Sequence, residues 1–576
     1  MNRMSQQQHD REVVPEPEDN APEYAPWSRS RRLMLNIPIF VILIGLLVYI
    51  SNATAVPWNN EPTGQTIATL NADTSVTFAA KGHGTAELAA AGRYRVVTTV
   101  ESVDSTRPST GETQHVTVVV RRPDTAQTGL PGVVFMHGAG QGTAFDSFGD
   151  IAEDMASAGF VTAVLDKPSW STEVFNRDYE GSAAAYDQVV DLLRRMPQVA
   201  DAKVGIYATS ESTWISAYLL DRDPRIAFQV LLSPMVFPMR QALGFLAAQD
   251  FALVGANDGY QSIVRRAFNA DVSAFDLPNV DIDTLRPATY DIPTFVGYGA
   301  KDVMTAQVEG AEAILDMAHR AGNWDVTIRG YPVANHVLRL AQDSQAGTQF
   351  ADEYVRDVIA WVSGVTQGLE QTSERVAGST LYQSIPVPKE LRAKPALTWY
   401  GLVLHGAILV MLLAALVMAS AALALRIRGR IVGRPFRLGF TYGFGRMLLT
   451  LTLTTIGVLL LFAAGIAQVV MAVVNLAWGG APDDHPGLMQ WSWPVIQGVC
   501  TLVVWAWSRL LARLIEVATG RGIMRLPPRT DSIRGVVSGR EPVLATTRFA
   551  RILFWVVATA MFLVLLMFAF WGLFIY

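Results

Sequence analysis

Three short segments in the middle of the chain carry side chains suited to acyl chemistry. A strand-like run over 132–136 leads into His137-Gly-Ala-Gly140, and one over 203–207 leads into Ala208-Thr-Ser210-Glu-Ser212. A third run, over 292–298, leads to Asp302, and His336 follows further along the chain. Serine, then acid, then histidine, behind a glycine-containing segment, is an order that suits nucleophilic acyl transfer. We therefore predict Ser210 as nucleophile, His336 as its base and Asp302 as the acid that orients the base.

The negative charge that develops on the attacked carbonyl oxygen requires backbone donors. The sequence predicts the N–H of Glu211, next after the serine, and one N–H from Ala139, Gly140 or Gln141. Removing one such donor typically costs about 2.7–4 kcal/mol in the transition state. Small residues are wanted two places before and after the nucleophile, where glycine is usual. Ala208 and Ser212 stand there instead.

Competing interpretations of these residues remain open. Ser210 could be an ordinary serine near a helix start, and Asp302 a solvated loop aspartate. Ser212 is the nearest rival nucleophile, although one turn into a helix it should point away from the site. Asp258 is a weaker rival acid because it lies in an insert. The remaining histidines of this region are His83, His115, His137 and His319. We expect His137 in the loop that holds the backbone donors, and the other three on the surface or in strands.

The glycines Gly138-Ala-Gly-Gln-Gly142, with Asp166 ending the next strand, also resemble a dinucleotide-binding fingerprint. The third glycine falls one residue early, so we expect no nucleotide cofactor. Asp483-Asp-His485 is interpreted as a solvated loop rather than a metal site, and no metal is expected. The only cysteine, Cys500, lies in an apolar stretch, which excludes redox catalysis and cysteine-ligated metal.

Strand and helix patterns alternate around these segments. Two antiparallel strands are predicted over 93–103 and 115–122, followed by alternating strands and helices up to residue 232 and again from 292 to 362. Strands separated by helices of this length predict a mostly parallel sheet covered on both faces. Residues 52–92 are predicted as a lead-in and residues 366–395, which hold three prolines, as a linker.

The alternation stops over residues 233–291, which we interpret as a cap insert. The insert is rich in methionine and phenylalanine, including Phe237, Phe245 and Phe251. These rings could line an acyl-chain pocket, or they could form the insert's own small hydrophobic core.

Five apolar stretches are each long enough to cross about 30 Å of hydrocarbon. They cover residues 33–51, 396–425, 447–478, 491–511 and 549–574. Arginines cluster before the first, after the second and after the fourth, whereas the loop 479–490 has no basic residue. This asymmetry predicts a cytoplasmic N-terminus, with a disordered tail over 1–32, and an exported segment 52–395. The first stretch could instead be a signal peptide that ends at Ala53-Thr-Ala55, which would export the same segment.

Residues 93–365 resemble the α/β-hydrolase superfamily, in its dienelactone-hydrolase and esterase-like branch. The resemblance rests on the serine, acid and histidine order and on the HGxG-type segment at His137. It implies a mostly parallel eight-stranded sheet, a triad of Ser210, Asp302 and His336, and a cap where the insert stands. The superfamily contains esterases, lipases, peptidases and acyltransferases, so the fold alone does not choose among them.

Two classes of function remain. The first is a membrane-anchored serine esterase or acyltransferase that acts on lipid or acylated glycan of the bacterial cell envelope. The second is a non-catalytic membrane or assembly protein that retains a hydrolase fold. The basic residues cluster beside the apolar stretches, where topology explains them, so no nucleic-acid partner is expected.

Overall fold

The computed structural model describes residues 26–58, 64–82, 84–172, 177–271, 287–340, 348–477, 487–524, 534–535 and 543–576. The chain forms two compact units. One consists of Ala53–Leu402 with Phe462–Val495, and the other of Met1–Asn52, Val403–Leu461 and Ile496–Tyr576. The first unit contains every residue for which catalysis is predicted.

A nine-stranded sheet forms the centre of the first unit. The strands of this unit, in chain order, are β1 Gln65–Ile67, β2 Val96–Thr106, β3 Thr113–Pro123, β4 Leu130–Met136, β5 Val161–Leu165, β6 Val199–Thr209, β7 Gln229–Leu232, β8 Thr294–Gly299, β9 Val326–Tyr331, β10 Val376–Gly378 and β11 Leu381–Gln383. The sheet order is β10-β9-β8-β7-β6-β4-β5-β3-β2. β2 and β3 pair antiparallel at one edge, β3 also runs antiparallel to β5, and all other pairs are parallel.

Helices cover both faces of the sheet, as the alternation of patterns predicts. They are α2 Gly149–Ala158, α3 Tyr179–Arg194, α4 Ser212–Arg222, α7 Gln307–Arg320 and α8 Tyr354–Thr366. α3, α4 and α7 supply one hydrophobic core, and α2 and α8 supply the other. The inner strands are buried on both faces, which explains why they are continuous apolar runs rather than alternating ones.

Strand order, direction of pairing and two covered faces define the α/β-hydrolase fold, so the predicted fold class is confirmed. The sheet has one strand more than the resemblance implies. The extra strand, β10, lies in the segment predicted as a linker and pairs parallel to β9. Within the same segment, β11 pairs with β1 from the lead-in, and Leu381, Ile385 and Val387 are buried. The linker prediction is therefore wrong for this segment, because three-residue strands are too short to show a periodicity.

The described part of the cap insert contains two helices, α5 Met239–Leu253 and α6 Asp258–Phe268. α6 contacts residues 487–495, which belong to the same unit. The Tyr260 hydroxyl lies 2.7 Å from Ser492 Oγ, and the Tyr260 ring meets Trp493 edge to face. The N–H of Asn257 donates to Met489 O at 3.2 Å.

Five helices among the described residues are long and apolar enough to cross a membrane. They are α1 Arg29–Ala53, α9 Pro395–Ile431, α10 Phe444–Ala477, α11 Leu488–Gly520 and α12 Arg548–Phe570. Their number equals the number of predicted spans. α12 ends at Phe570 rather than at residue 574, and Cys500 is buried within α11.

Candidate active site

Ser210 lies directly after β6 on a tight turn into α4. Its backbone φ is +54°, a left-handed conformation that is uncommon for residues other than glycine. A serine at position 212 fits this turn because its hydroxyl holds the turn closed. Ser212 Oγ accepts from the N–H of Thr209 at 2.7 Å and lies 2.9 Å from the carbonyl oxygen of Met136. The departure from glycine therefore has a structural role, and the Ser212 hydroxyl is fully buried and bonded to backbone.

Three loops at the carboxyl ends of the strands bring Ser210, His336 and Asp302 together. His336 Nε2 lies 2.8 Å from Ser210 Oγ, and His336 Nδ1 lies 2.9 Å from Asp302 Oδ1. The side chain of Asp302 is inaccessible to solvent. Burial alone would raise the pKa of Asp302. His336 and hydrogen bonds from Thr305 and the N–H of Met304 outweigh burial, so the pKa is lowered and the acid remains ionised.

The segment that follows β4 is held from one side by a lysine. Lys167, just after β5, donates from Nζ to the carbonyl oxygens of Gly138 at 2.7 Å and Gly140 at 3.0 Å. In a trans peptide the N–H points opposite to the C=O. The N–H groups of Ala139 and Gln141 are therefore turned away from Lys167.

The N–H groups of Ala139, Gln141 and Glu211 bond to no residue in the part of the chain that the structure describes. Gly138 lies against the Ser210 turn, since a Cβ added to it would lie 3.5 Å from Ser210 Cβ. The loop and the turn thus present unused donors beside the serine. The direction of the Gly140 N–H is not fixed in this way. The carbonyl oxygen of Ala139, which belongs to the same peptide, accepts no hydrogen bond from a described residue.

The side chain of Glu211, next to the nucleophile, is held by a cluster of polar residues that the sequence did not predict. Glu211 Oε1 accepts from Tyr179 Oη at 2.8 Å and from Arg177, and Glu211 Oε2 lies 3.9 Å from Lys167 Nζ. Burial lowers the pKa of Lys167 to about 8, although Glu211 opposes this shift. Lys167 closely follows β5, the strand that pairs with β4. This position in the sequence is the signal that predicts a side chain near the loop after β4.

His137 is buried beside this loop as a structural residue. Its Nε2–H donates to the carbonyl oxygen of Leu165 at 2.6 Å, and its backbone N–H donates to Tyr186 Oη at 3.0 Å. Burial lowers its pKa to about 4, so the imidazole is neutral at pH 7. Its ring also fills the space where a Cβ on Gly142 would stand.

The three cap phenylalanines do not share one environment. Phe245 is buried in a small cluster with Ala248, Ala306 and the 385–387 segment, and Phe237 packs against this cluster. The cavity that Phe237 and Phe245 line has a volume of only about 10 Å³. Phe251 is half-buried and lies outside that cluster. The acyl-pocket assignment stays a prediction, and it requires the cap to open.

The rival residues lie elsewhere. Asp258 is exposed and pairs with Arg265, His115 pairs with Asp104 on a strand, and His319 stacks on Trp324. Asp166 accepts the N–H of Ala144. His83 and residues 483–485 lie outside the described residues. Within the described ranges, no group of three or more His, Cys, Asp or Glu side chains could hold a metal ion.

No protein-family model and no curated protein matches this chain. Among solved structures, the chain is similar to a protein described as a dipeptidyl aminopeptidase IV from Bacteroides ovatus. The identity is 12% and the TM-score 0.33, over 48% of this chain and 36% of that one, so the chain spans about a third of the peptidase's length.

Two esterases give similar results. Brefeldin A esterase, described as a bacterial homologue of human hormone sensitive lipase, is 18% identical over 48% of this chain and 79% of its own, with a TM-score of 0.33. An esterase from the fungus Rhizomucor miehei is 16% identical over 48% and 86%, with a TM-score of 0.34. At these values the likeness does not bear on activity, and the α/β-hydrolase assignment rests on the strand order.

Proposed function

We propose that the chain is a serine hydrolase or acyltransferase that works through an acyl-enzyme. The observation that carries the proposal is the position of His336, whose two ring nitrogens contact Ser210 and Asp302. As Ser210 Oγ attacks an acyl carbon, its proton passes to His336 Nε2. Asp302 keeps the imidazole in the required tautomer and stabilises the imidazolium that forms.

The carbonyl oxygen that becomes negative in this step would be bound by the N–H of Glu211 and an N–H from the 139–141 loop. His336 then protonates the leaving alcohol or amine, and the acyl group stays on Ser210. Water or a second alcohol, deprotonated by His336, attacks the acyl-enzyme and releases the serine. Hydrolysis and transfer share every step except the identity of this acceptor.

The membrane part of the proposal rests on the long helices. We place the α/β unit on the exported side of a bacterial cytoplasmic membrane. The arginine-rich segments lie at the start of α1, at the end of α9 and after the end of α11, which are the ends expected in the cytoplasm, whereas the α/β unit follows α1 and precedes α9. A tethered enzyme there would meet lipids and acylated glycans of the cell envelope, and this is the proposed substrate class.

A fluorophosphonate probe tests the nucleophile without knowledge of the substrate. Wild-type membranes should be labelled on this chain, Ser210→Ala should abolish the label, and the control Ser169→Ala, on an exposed serine outside the turn, should keep it. Labelling that persists in Ser210→Ala would move the nucleophile elsewhere. Absence of labelling in a folded wild type would favour a non-catalytic membrane protein.

Reporter fusions test the orientation separately. A reporter fused after Pro395 should be active only in the exported compartment, and one fused near Arg534 only in the cytoplasm. Cytoplasmic activity of the first fusion would overturn the localisation and leave the chemistry of Ser210 untouched.

A further inference from the structure

The helical unit contains a cavity of about 440 Å³ between the start of α1, the start of α10 and the end of α11. Its walls combine charge with apolar surface. The lining residues are Arg29, Arg32, Leu33, Asn36, Met447, Trp505, Arg509, Ala512, Arg513 and Glu516. Four arginines thus face one cavity together with a single carboxylate.

That carboxylate is already saturated by two of the arginines. Glu516 is almost fully buried and accepts three hydrogen bonds from the guanidinium of Arg32, at 3.0–3.2 Å. It also lies 2.9 Å from Arg513 Nη1. Arg29 and Arg509 have no ion pair and no hydrogen bond from their side chains to any residue that the structure describes. Two guanidinium groups therefore remain available to an anion.

A second observation points to the same place. Asn36 is 5% exposed, lines the cavity, and its side-chain amide has no hydrogen-bond partner among the described residues. Oδ1 is enclosed by packing, so the Nδ2–H donor is the part of the amide that a ligand can reach. A buried donor of this kind is costly unless something accepts from it. Positive charge at the ends of spanning helices is explained by topology alone, but an unsatisfied donor inside a cavity is not.

We propose that this cavity binds the phosphate of an anionic phospholipid such as phosphatidylglycerol. The phosphate would accept from Arg29, from Arg509 and from Asn36 Nδ2. Leu33, Met447 and Trp505 offer apolar surface to the glycerol and the first methylenes of the acyl chains. Basic pockets between spanning helices are a recurrent type of site for such head groups.

Thermal denaturation of the full chain in detergent tests this site. Phosphatidylglycerol should raise the Tm, whereas phosphatidylcholine at the same mole fraction should not. Arg29→Gln with Arg509→Gln should weaken the apparent affinity for phosphatidylglycerol about tenfold or more, given the usual contribution of each arginine near a membrane surface. Arg32 stays in place, so the pairing of Glu516 is retained.

Arg428→Gln with Arg430→Gln is the matched control, because it removes the same charge from exposed positions at the end of α9, outside the cavity. This control should bind as the wild type does. Equal weakening in the control and in the cavity variant would reduce the arginines to a topological signal and overturn the proposal. So would an unchanged affinity in the cavity variant.

Asn36→Leu tests the neutral donor separately from charge, since it changes no arginine. It should weaken the binding of phosphatidylglycerol and of phosphatidic acid alike, because both lipids present a phosphate to Nδ2. Unchanged affinity for both lipids would overturn the assignment of the phosphate to this cavity. Inorganic phosphate at matched concentration forms the last arm. A Tm rise equal to that given by the lipid would identify a soluble phosphate as the occupant and exclude the lipid.

Discussion

The two buried acids of the candidate active site, Asp302 on the sheet side and Asp250 on the cap side, are held in opposite ways. On the sheet side, Ser210, His336 and Asp302 each have a defined hydrogen-bond partner. On the cap side, α5 buries Asp250, whose Oδ1 has no hydrogen-bond partner among the described residues. Bonded polar groups fix one geometry, whereas an unsatisfied buried acid favours separation of the surfaces that bury it. The contrast between the two acids predicts that the position of Asp302 is fixed, whereas the packing of α5 depends on the protonation of Asp250.

The largest effect should come from the sheet side. Asp302→Asn should lower kcat about 10⁴-fold, because the imidazole loses the partner that fixes its tautomer. His336→Ala should abolish turnover to a comparable extent. Rates of p-nitrophenyl ester hydrolysis measure both, with His319→Ala, on an exposed histidine, as the control. Activity that survives Asp302→Asn would show that the sheet side is not the reaction centre.

A smaller effect is expected from Lys167, which acts through the loop that it holds. Lys167→Met should lower kcat about 10²-fold with little change in KM, since a donor to the oxyanion acts mainly in the transition state. Lys81→Met, on an exposed lysine, is the control.

The pH profile separates positioning from general loss of structure. Burial lowers the pKa of Lys167 to about 8, so the ammonium that faces Glu211 is present below pH 8 and is lost above it. Wild-type kcat should therefore fall above about pH 8, and this fall should be absent from the residual activity of Lys167→Met. The same alkaline fall in both proteins would assign it to another group.

On the cap side, Phe245→Ala should lower the free energy of unfolding by about 3–5 kcal/mol, as is usual for a buried phenylalanine. Denaturant unfolding measures this loss, and Phe251→Ala, on a half-buried ring outside the cluster, should cost less.

The prediction that the cap phenylalanines line an acyl pocket is tested by the chain-length preference of Phe245→Ala. Each buried CH₂ of a bound chain contributes about 0.8 kcal/mol, so kcat/KM should rise from acetate to medium-chain esters in the wild type. Phe245→Ala should flatten that rise. If stability falls and the chain-length profile does not change, Phe245 belongs only to the cap's core.

The sequence predicts the sheet side much better than the cap side, for a physical reason. Ser210, Asp302 and His336 each follow a buried strand, and the carboxyl ends of parallel strands meet at one edge, so their convergence follows from the alternation of elements. Lys167 was missed because its role depends on one side chain that reaches across to the neighbouring loop. The strands β10 and β11 and the environment of Asp250 depend on contacts distant in sequence, which no local periodicity encodes.

Asp250 gives the most specific prediction, because it concerns a single titrating group. Burial and the nearby charge of Asp302 raise the pKa of Asp250 to about 8, from its ordinary value near 4. Between these two values the folded protein keeps a proton that the unfolded chain has lost, so folding stability should decrease as pH rises through this window. Asp250→Asn removes the titration, and it should raise the Tm at pH 8 with little effect at pH 4.

Asp258→Asn, on an exposed carboxylate of α6, should leave the Tm unchanged at both pH values. If ionisation of Asp250 also loosens the cap, wild-type protein should show faster amide exchange in α5 at pH 8 than the intrinsic pH dependence of exchange explains. That excess should be absent in Asp250→Asn. Equal excess exchange in both proteins would mean that the unsatisfied acid does not control the cap, and the contrast between the two sides would then reduce to packing alone.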